Sequence, residues 1–302
     1  MRIKFFLVAL FLATFSAITL PSCSSDDHKG SNTIQETKTA MLAKHVWKTT
    51  EVRDNQKKKL DLGVQPAKTY AGFAYYRPDG TFRIIDFNDR PKMFGRWKLT
   101  DGETKRLLTV YNNDNTIAYA RTIDFLALNN SLFTYRVVPN ASQPAVYYDV
   151  DHQPVTNHPE PLTPAQILAA VDWKTVEVLD ITAGIERAKK LNMNVAPAAS
   201  FSGDVYYTNA HGNAYFPKNK EGKYANGSFI FTAFNNKKKV RSTGDWYVSV
   251  DGTQRTLMAR NPDRSIAWER KVRIVELTTA VFTYDIQVGQ QLLRVVHRPL
   301  AN

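Results

Sequence analysis

The chain has 302 residues, with 40 Lys and Arg against 28 Asp and Glu, a formal net charge of +12 and 43% hydrophobic residues. That length and apolar fraction exclude a disordered or fibrous chain and suit about two globular domains. The one cysteine, Cys23, excludes an intrachain disulfide, the usual staple of exported domains.

At the N-terminus, Met1-Arg2-Ile3-Lys4 is a basic start, and an apolar run follows from Phe5 to Leu20. The run has the length of a secretion-signal core and is short for a membrane span. It ends in Leu20-Pro21-Ser22-Cys23, which resembles the bacterial lipobox. The resemblance implies that residues 1–22 are a lipoprotein signal peptide and that Cys23 carries a lipid, so that the membrane is a partner. Ser24-Ser25-Asp26-Asp27 resembles the acidic surface-export signal of Bacteroidota lipoproteins, or forms part of a solvated tether over 23–40. The expected location is the cell envelope, on the outer membrane, periplasmic or surface-exposed. Loss of Arg2 and Lys4 with the signal lowers the formal charge from +12 to +10. On an exported lipoprotein that excess of base points to anionic lipid headgroups or acidic glycans and not to nucleic acid.

From Leu42 onward the chain repeats itself. Leu42-Ala43-Lys44-His45-Val46-Trp47-Lys48-Thr49 returns as Leu168-Ala169-Ala170-Val171-Asp172-Trp173-Lys174-Thr175. Tyr75-Tyr76 returns as Tyr206-Tyr207, Gly95-Arg96-Trp97 as Gly244-Asp245-Trp246, and Phe133-Thr134-Tyr135 as Phe282-Thr283-Tyr284. The matches keep their order, so two tandem domains are expected, over 41–150 and 165–302. Between them, 151–164 carries four prolines and two histidines and reads as an extended linker in solvent. Thr163-Pro164 has the pattern of a helix N-cap followed by proline at the first helical position.

Each copy reads as about eight short strands. In the first they fall near 46–53, 71–76, 81–87, 94–100, 105–111, 116–125, 132–138 and 145–150, with Asp79-Gly80 and Asp101-Gly102 as hairpin signals. Hairpin-linked strands with one apolar face close on themselves and so remove exposed edges. The fold class is therefore all-β, two tandem eight-stranded antiparallel barrels, each preceded by a short helix; a two-sheet sandwich is the alternative. With a short helix leading into a tryptophan-bearing first strand (Trp47, Trp173) and a Gly-x-Trp in the middle strands, residues 42–150 and 168–298 resemble the lipocalin-like (calycin) barrels of small bacterial lipoproteins, many of them domains of unknown function.

The sharpest chemical feature is an arginine on an apolar strand face. Arg121 is in phase with Ile117, Tyr119, Ile123 and Phe125, and Arg270 with Ile266, Trp268, Val272 and Ile274. Both should point into their domains, where a guanidinium needs a partner. Glu51 and Glu177 on the first strands are candidate counter-ions, and Trp97 and Trp246 candidate rings to stack against. Two readings stay open: a cationic anchor for a carboxylate or phosphate ligand, or an internal packing device.

The second copy also carries an insertion. Tyr76 to Gly80 spans four positions and Tyr207 to Gly227 twenty, a gain of sixteen residues that includes Tyr215, Phe216 and Tyr224. These aromatics could stack on sugar rings or cover a barrel mouth, or the loop could pack on the neighbouring domain. The runs Lys57-Lys58-Lys59 and Lys237-Lys238-Lys239 read as solvated turns.

Gly-x-Ser-x-Gly, His-Glu-x-x-His, a phosphate loop and Gly-x-Gly-x-x-Gly are all missing, and no cofactor or metal set is indicated. The resulting expectation is a non-enzymatic envelope lipoprotein that binds a small amphipathic molecule or a glycan. The alternatives are a structural or docking module of an envelope complex and an enzyme of unrecognised type.

Overall fold

The computed structural model describes residues 36–300 apart from Asn235 and the side chains of Lys237 and Lys238. The expected signal peptide, Cys23 and the tether up to residue 35 lie outside the described residues. Among the described residues, no helix is long and apolar enough to cross a membrane.

Two short helices open the two domains. α1 (Lys38–Lys44) is capped by Thr37, and α2 (Pro164–Ala170) by a capping box between Thr163 and Gln166 with proline in the first turn. The helices end against tryptophan. Trp47 Nε1 donates to the Leu42 carbonyl at 2.9 Å and Trp173 Nε1 to the Leu168 carbonyl at 2.8 Å. Each indole thus satisfies a terminal helix carbonyl that would otherwise lack a partner.

The first domain is a closed barrel of β1 (Val46–Arg53), β2 (Phe73–Tyr76), β3 (Thr81–Ile85), β4 (Pro91–Thr100), β5 (Lys105–Tyr111), β6 (Ile117–Leu128), β7 (Phe133–Val137) and β8 (Tyr148–Val155), with β8 laddered onto β1. The second repeats it with β9 (Trp173–Asp180), β11 (Asp204–Tyr207), β12 (Gly227–Ala233), β13 (Asn236–Val248), β14 (Gln254–Arg260), β15 (Ile266–Leu277), β16 (Phe282–Val288) and β17 (Gln291–Pro299), closed by β17 onto β9. A two-residue strand, β10 (Lys189–Lys190), pairs with the end of β9. All ladders are antiparallel, and closure rules out the two-sheet sandwich. One cross-strand ion pair is kept with its charges exchanged. Arg136 faces Asp149 at 2.7 Å in the first barrel, and Asp285 faces Arg294 at 2.8 Å in the second.

Three sequence expectations are corrected. Residues 151–155 belong to β8 and not to a linker, because Pro154 and Val155 pair with Trp47 and Val46 at the barrel seam, where a missing proline N–H is tolerated. The remaining connection does not lie free in solvent. The His158 ring stacks on Phe73 with centroids 3.6 Å apart, and Glu160 accepts from Arg77 at 2.5 Å and from Arg83 at 2.9 Å. Thirdly, the lysines at 237–239 fall inside β13 and not in a turn.

The insertion of the second copy packs on the first barrel. Tyr215 Oη donates to the Phe82 carbonyl at 2.7 Å, Phe216 sits 6.0 Å from Phe94 and 5.9 Å from Tyr111, and Asn115 Nδ2 donates to Tyr224 Oη at 3.0 Å. These three aromatics hold one domain against the other.

Candidate functional site

β-Strand alternation brings one set of polar side chains into each barrel. On β5, Arg106 shares the inner face with Leu108 and Val110; on β14, Arg255 shares it with Leu257 and Ala259. Arg106 is 2% exposed and Arg255 3%. Arg106 donates to Tyr76 Oη, and its guanidinium lies 4.7 Å from the Tyr135 ring centre and 5.1 Å from that of Phe133. Arg255 donates to Tyr207 Oη at 2.5 Å and lies 4.5 Å from Tyr284 and 5.0 Å from Phe282.

A histidine completes each set. His152 stacks on Phe133 and Tyr135, and His297 stacks on Phe282 and Tyr284 in the same way. His297 Nε2 lies 3.2 Å from Thr175 Oγ1. Burial, reinforced by the adjacent arginine, pushes both imidazoles down to about 3, so both are neutral at physiological pH. Burial likewise raises the Tyr207 hydroxyl to about 12.

Neither arginine has a carboxylate partner among the described residues. Arg106 Nε, Arg255 Nε, His152 Nδ1 and His297 Nδ1 are all buried without a hydrogen-bond partner among the described residues. A buried guanidinium held only by a phenol and ring faces is an uncompensated charge, a rare state in a folded protein and one that favours an incoming anion.

Both sets open onto cavities. The first, about 70 Å³, is lined by residues that include Tyr76, Arg106, Tyr119, Arg121, Tyr135 and His152. The second, about 240 Å³, is lined by residues that include Phe201, Arg241, Arg255, Trp268, Arg270 and His297. Among the described residues, no acidic side chain lines either cavity.

Among the residues nominated by sequence, Arg121 and Arg270 lie on the inner face, opposite Leu108 and Leu257, but near the open ends, where they are only partly buried. Arg121 rests on Tyr119 at 5.6 Å, and Arg270 lies over Trp268 at 4.8 Å and Phe201 at 4.9 Å. Their rings are therefore not Trp97 and Trp246, which are core residues whose indoles donate to the Arg77 and Thr208 carbonyls. Ile117, expected on the same face as Tyr119, is 61% exposed because the ladder shifts register at Ala118.

Glu51 and Glu177 are not the counter-ions. A bulge at Thr50, and another at Val176, reverses the phase of the first strand after Thr49 and Thr175, so that Val52 and Val178 point inward and the glutamates outward. Glu51 pairs with Lys59 at 2.5 Å and Glu177 with Lys190 at 3.2 Å. Tyr215, Phe216 and Tyr224 lie at the contact between the domains. The deepest groups, Arg106, Arg255, His152 and His297, are absent from the sequence-based set. Their signal was the same phase argument, applied to Arg106 with Leu108 and Val110 and to His297 with Leu293 and Val295.

Residues 39–162 match a family model described as a domain of unknown function (DUF4822). The match spans α1 from its second residue, the whole first barrel and most of the connection to the second. Comparison with curated proteins gives no match.

The neutral histidines make stability pH-dependent in a defined direction. Their folded values lie below the ordinary 6.5, so their contribution is complete above about pH 6.5 and is lost as pH falls towards 3. In that window each histidine removes roughly 1.4 kcal/mol per pH unit, because only the unfolded chain takes up the proton. Urea unfolding at pH 7 and pH 5 should show this loss, and His297→Gln should reduce it. An unchanged pH dependence in the variant would count against buried neutral imidazoles.

Proposed function

We propose that this protein is a non-enzymatic cell-envelope lipoprotein, anchored through Cys23, that binds a small amphipathic anion inside a barrel. The observation that carries the binding reading is the buried, carboxylate-free arginine that faces a cavity in each barrel. An anionic group would supply the missing counter-charge, and the aromatic wall would cover an apolar tail or ring. The glycan alternative is less well supported, because Tyr215, Phe216 and Tyr224 are already engaged between the domains. The envelope reading rests on the lipobox-like Leu20-Pro21-Ser22-Cys23.

Two measurements test this. Cells expressing the full chain should incorporate a fatty-acid probe into the protein and retain it in the membrane fraction, and Cys23→Ala should abolish both. Equal labelling of the variant refutes the anchor. For binding, medium-chain carboxylates should raise the melting temperature in proportion to the logarithm of their concentration, as expected for a ligand of the folded state. No shift with any amphipathic anion would refute the binding reading.

A further inference from the structure

We infer that the two barrels have divided the work: the second binds a small organic carboxylate, with one ring or a short alkyl chain, and the first is closed to it by Met93, where the second has Ser242. This rests on the protein binding a small anion inside a barrel, as proposed above.

The two positions are equivalent in the ladders. Ile84 faces Met93 between β3 and β4, and Phe231 faces Ser242 between β12 and β13. Met93 packs onto the first barrel's core, and its Sδ lies 3.7 Å from Tyr119 Oη at the cavity wall. Serine is shorter by the thioether and methyl, and the second cavity is correspondingly larger, about 240 against about 70 Å³. An apolar cavity of about 150 Å³ is enough to take up benzene. The second barrel therefore has room for a ring, and the first has room only for a few waters.

The chemistry of the second cavity selects the ligand. Three guanidinium groups line it with no carboxylate. Arg241 is committed to the carbonyls of Ala199 at 2.5 Å and Ser202 at 3.3 Å. Among the described residues, Arg270 has no hydrogen-bond acceptor and is held over two aromatic rings, and Arg255 has only the Tyr207 hydroxyl. Two guanidinium groups with spare donors suit a carboxylate, whose two oxygens can accept from both. The surrounding wall of Phe201, Phe231, Leu257 and Trp268 is apolar or aromatic and suits a ring or short chain. A ring or short chain gains contact with that wall, which an inorganic anion held by the same guanidinium groups cannot do.

Titration calorimetry on the full chain with benzoate, octanoate, benzyl alcohol and inorganic phosphate tests this. Benzoate or octanoate should bind with one site per chain, and the uncharged alcohol and phosphate should not. Ser242→Met and Arg270→Met should each weaken binding by about tenfold or more, the scale of one charge-assisted contact. Met93→Ser should add a second site. Wild-type binding retained in both Ser242→Met and Arg270→Met would place the ligand outside the second cavity, overturning this inference while leaving the protein a binder. Phosphate binding as tightly as benzoate would overturn the carboxylate assignment. Failure of every probe to bind both wild type and Met93→Ser would overturn this inference and the binding reading together. Ser242 and Met93 are only partly buried, so this exchange remains informative even if an arginine variant fails to fold.

Discussion

Trp173→Ala is expected to destabilise the second barrel by about 4 kcal/mol, measured by urea unfolding. Trp173 is fully buried, packs edge-on to Phe282 with centroids 5.8 Å apart, and stands where α2, the first strand and the closing strand meet. Alanine removes the largest side-chain class and leaves a cavity that closed ladders on both sides cannot collapse into. It also strips the Leu168 carbonyl of its indole donor, so α2 loses its terminal cap at the same time. Trp173→Phe should keep most of the packing and lose the hydrogen bond, at a cost of about 1–2 kcal/mol. Trp47 is the same residue in the first barrel, bonded to Leu42, and Trp47→Ala should behave alike. A loss below about 1 kcal/mol for Trp173→Ala would show that the helix is not docked through this indole.

The second large effect is expected at Gly244. A Cβ there would stand 2.0 Å from the Met258 carbonyl oxygen and 2.9 Å from Ala259 Cα, both on the neighbouring strand. Its counterpart Gly95 meets the Thr109 carbonyl oxygen at 1.9 Å. The obstacle is backbone in a ladder, so it cannot swing aside as a side chain would, and relief requires separating β13 from β14. Gly244→Ala should therefore cost about 3 kcal/mol or more. Gly102 is the contrasting case. It has φ +63 with nothing within 4 Å of an added Cβ, so Gly102→Ala should cost only about 1 kcal/mol of left-handed backbone strain. Equal melting temperatures for Gly244→Ala and wild type would mean that β13 and β14 do not approach this closely at Gly244. Close strand approach also explains why Gly-x-Trp recurs: glycine lets the neighbouring strand in, and two residues on, on the same face, tryptophan fills the barrel.

Phase within a strand was legible wherever the strand was regular. On β5, Arg106, Leu108 and Val110 alternate without interruption, and the same rule places His297 with Val295. It failed where a bulge inserts a residue. Thr50 and Val176 turn Glu51 and Glu177 outward, and Ala118 frees Ile117 from the face of Tyr119. No residue type marks those bulges, because they arise from the stagger that closing an eight-stranded barrel imposes. Arg121 and Arg270 show a second limit. Their face was readable, but their depth depends on how far the neighbouring strands extend beside them.

The sequence by itself determined the strand content, the two-domain order, the short helices before Trp47 and Trp173 with the cap of the second, and the inner face of Arg121 and Arg270. These follow from periodicities of a few residues and from capping chemistry, which act locally along the chain. Only the tertiary structure decided that Arg106 and Arg255 are buried inside the barrels away from any carboxylate of the described residues, that His152 belongs to β8 and the interior, and that Tyr215, Phe216 and Tyr224 serve the contact between domains. It also decided that Ser242 opens one barrel where Met93 fills the other. Each of these turns on which residues distant in the chain stand opposite one another across a closed ladder, and that pairing is a property of the whole barrel, not of any segment of it.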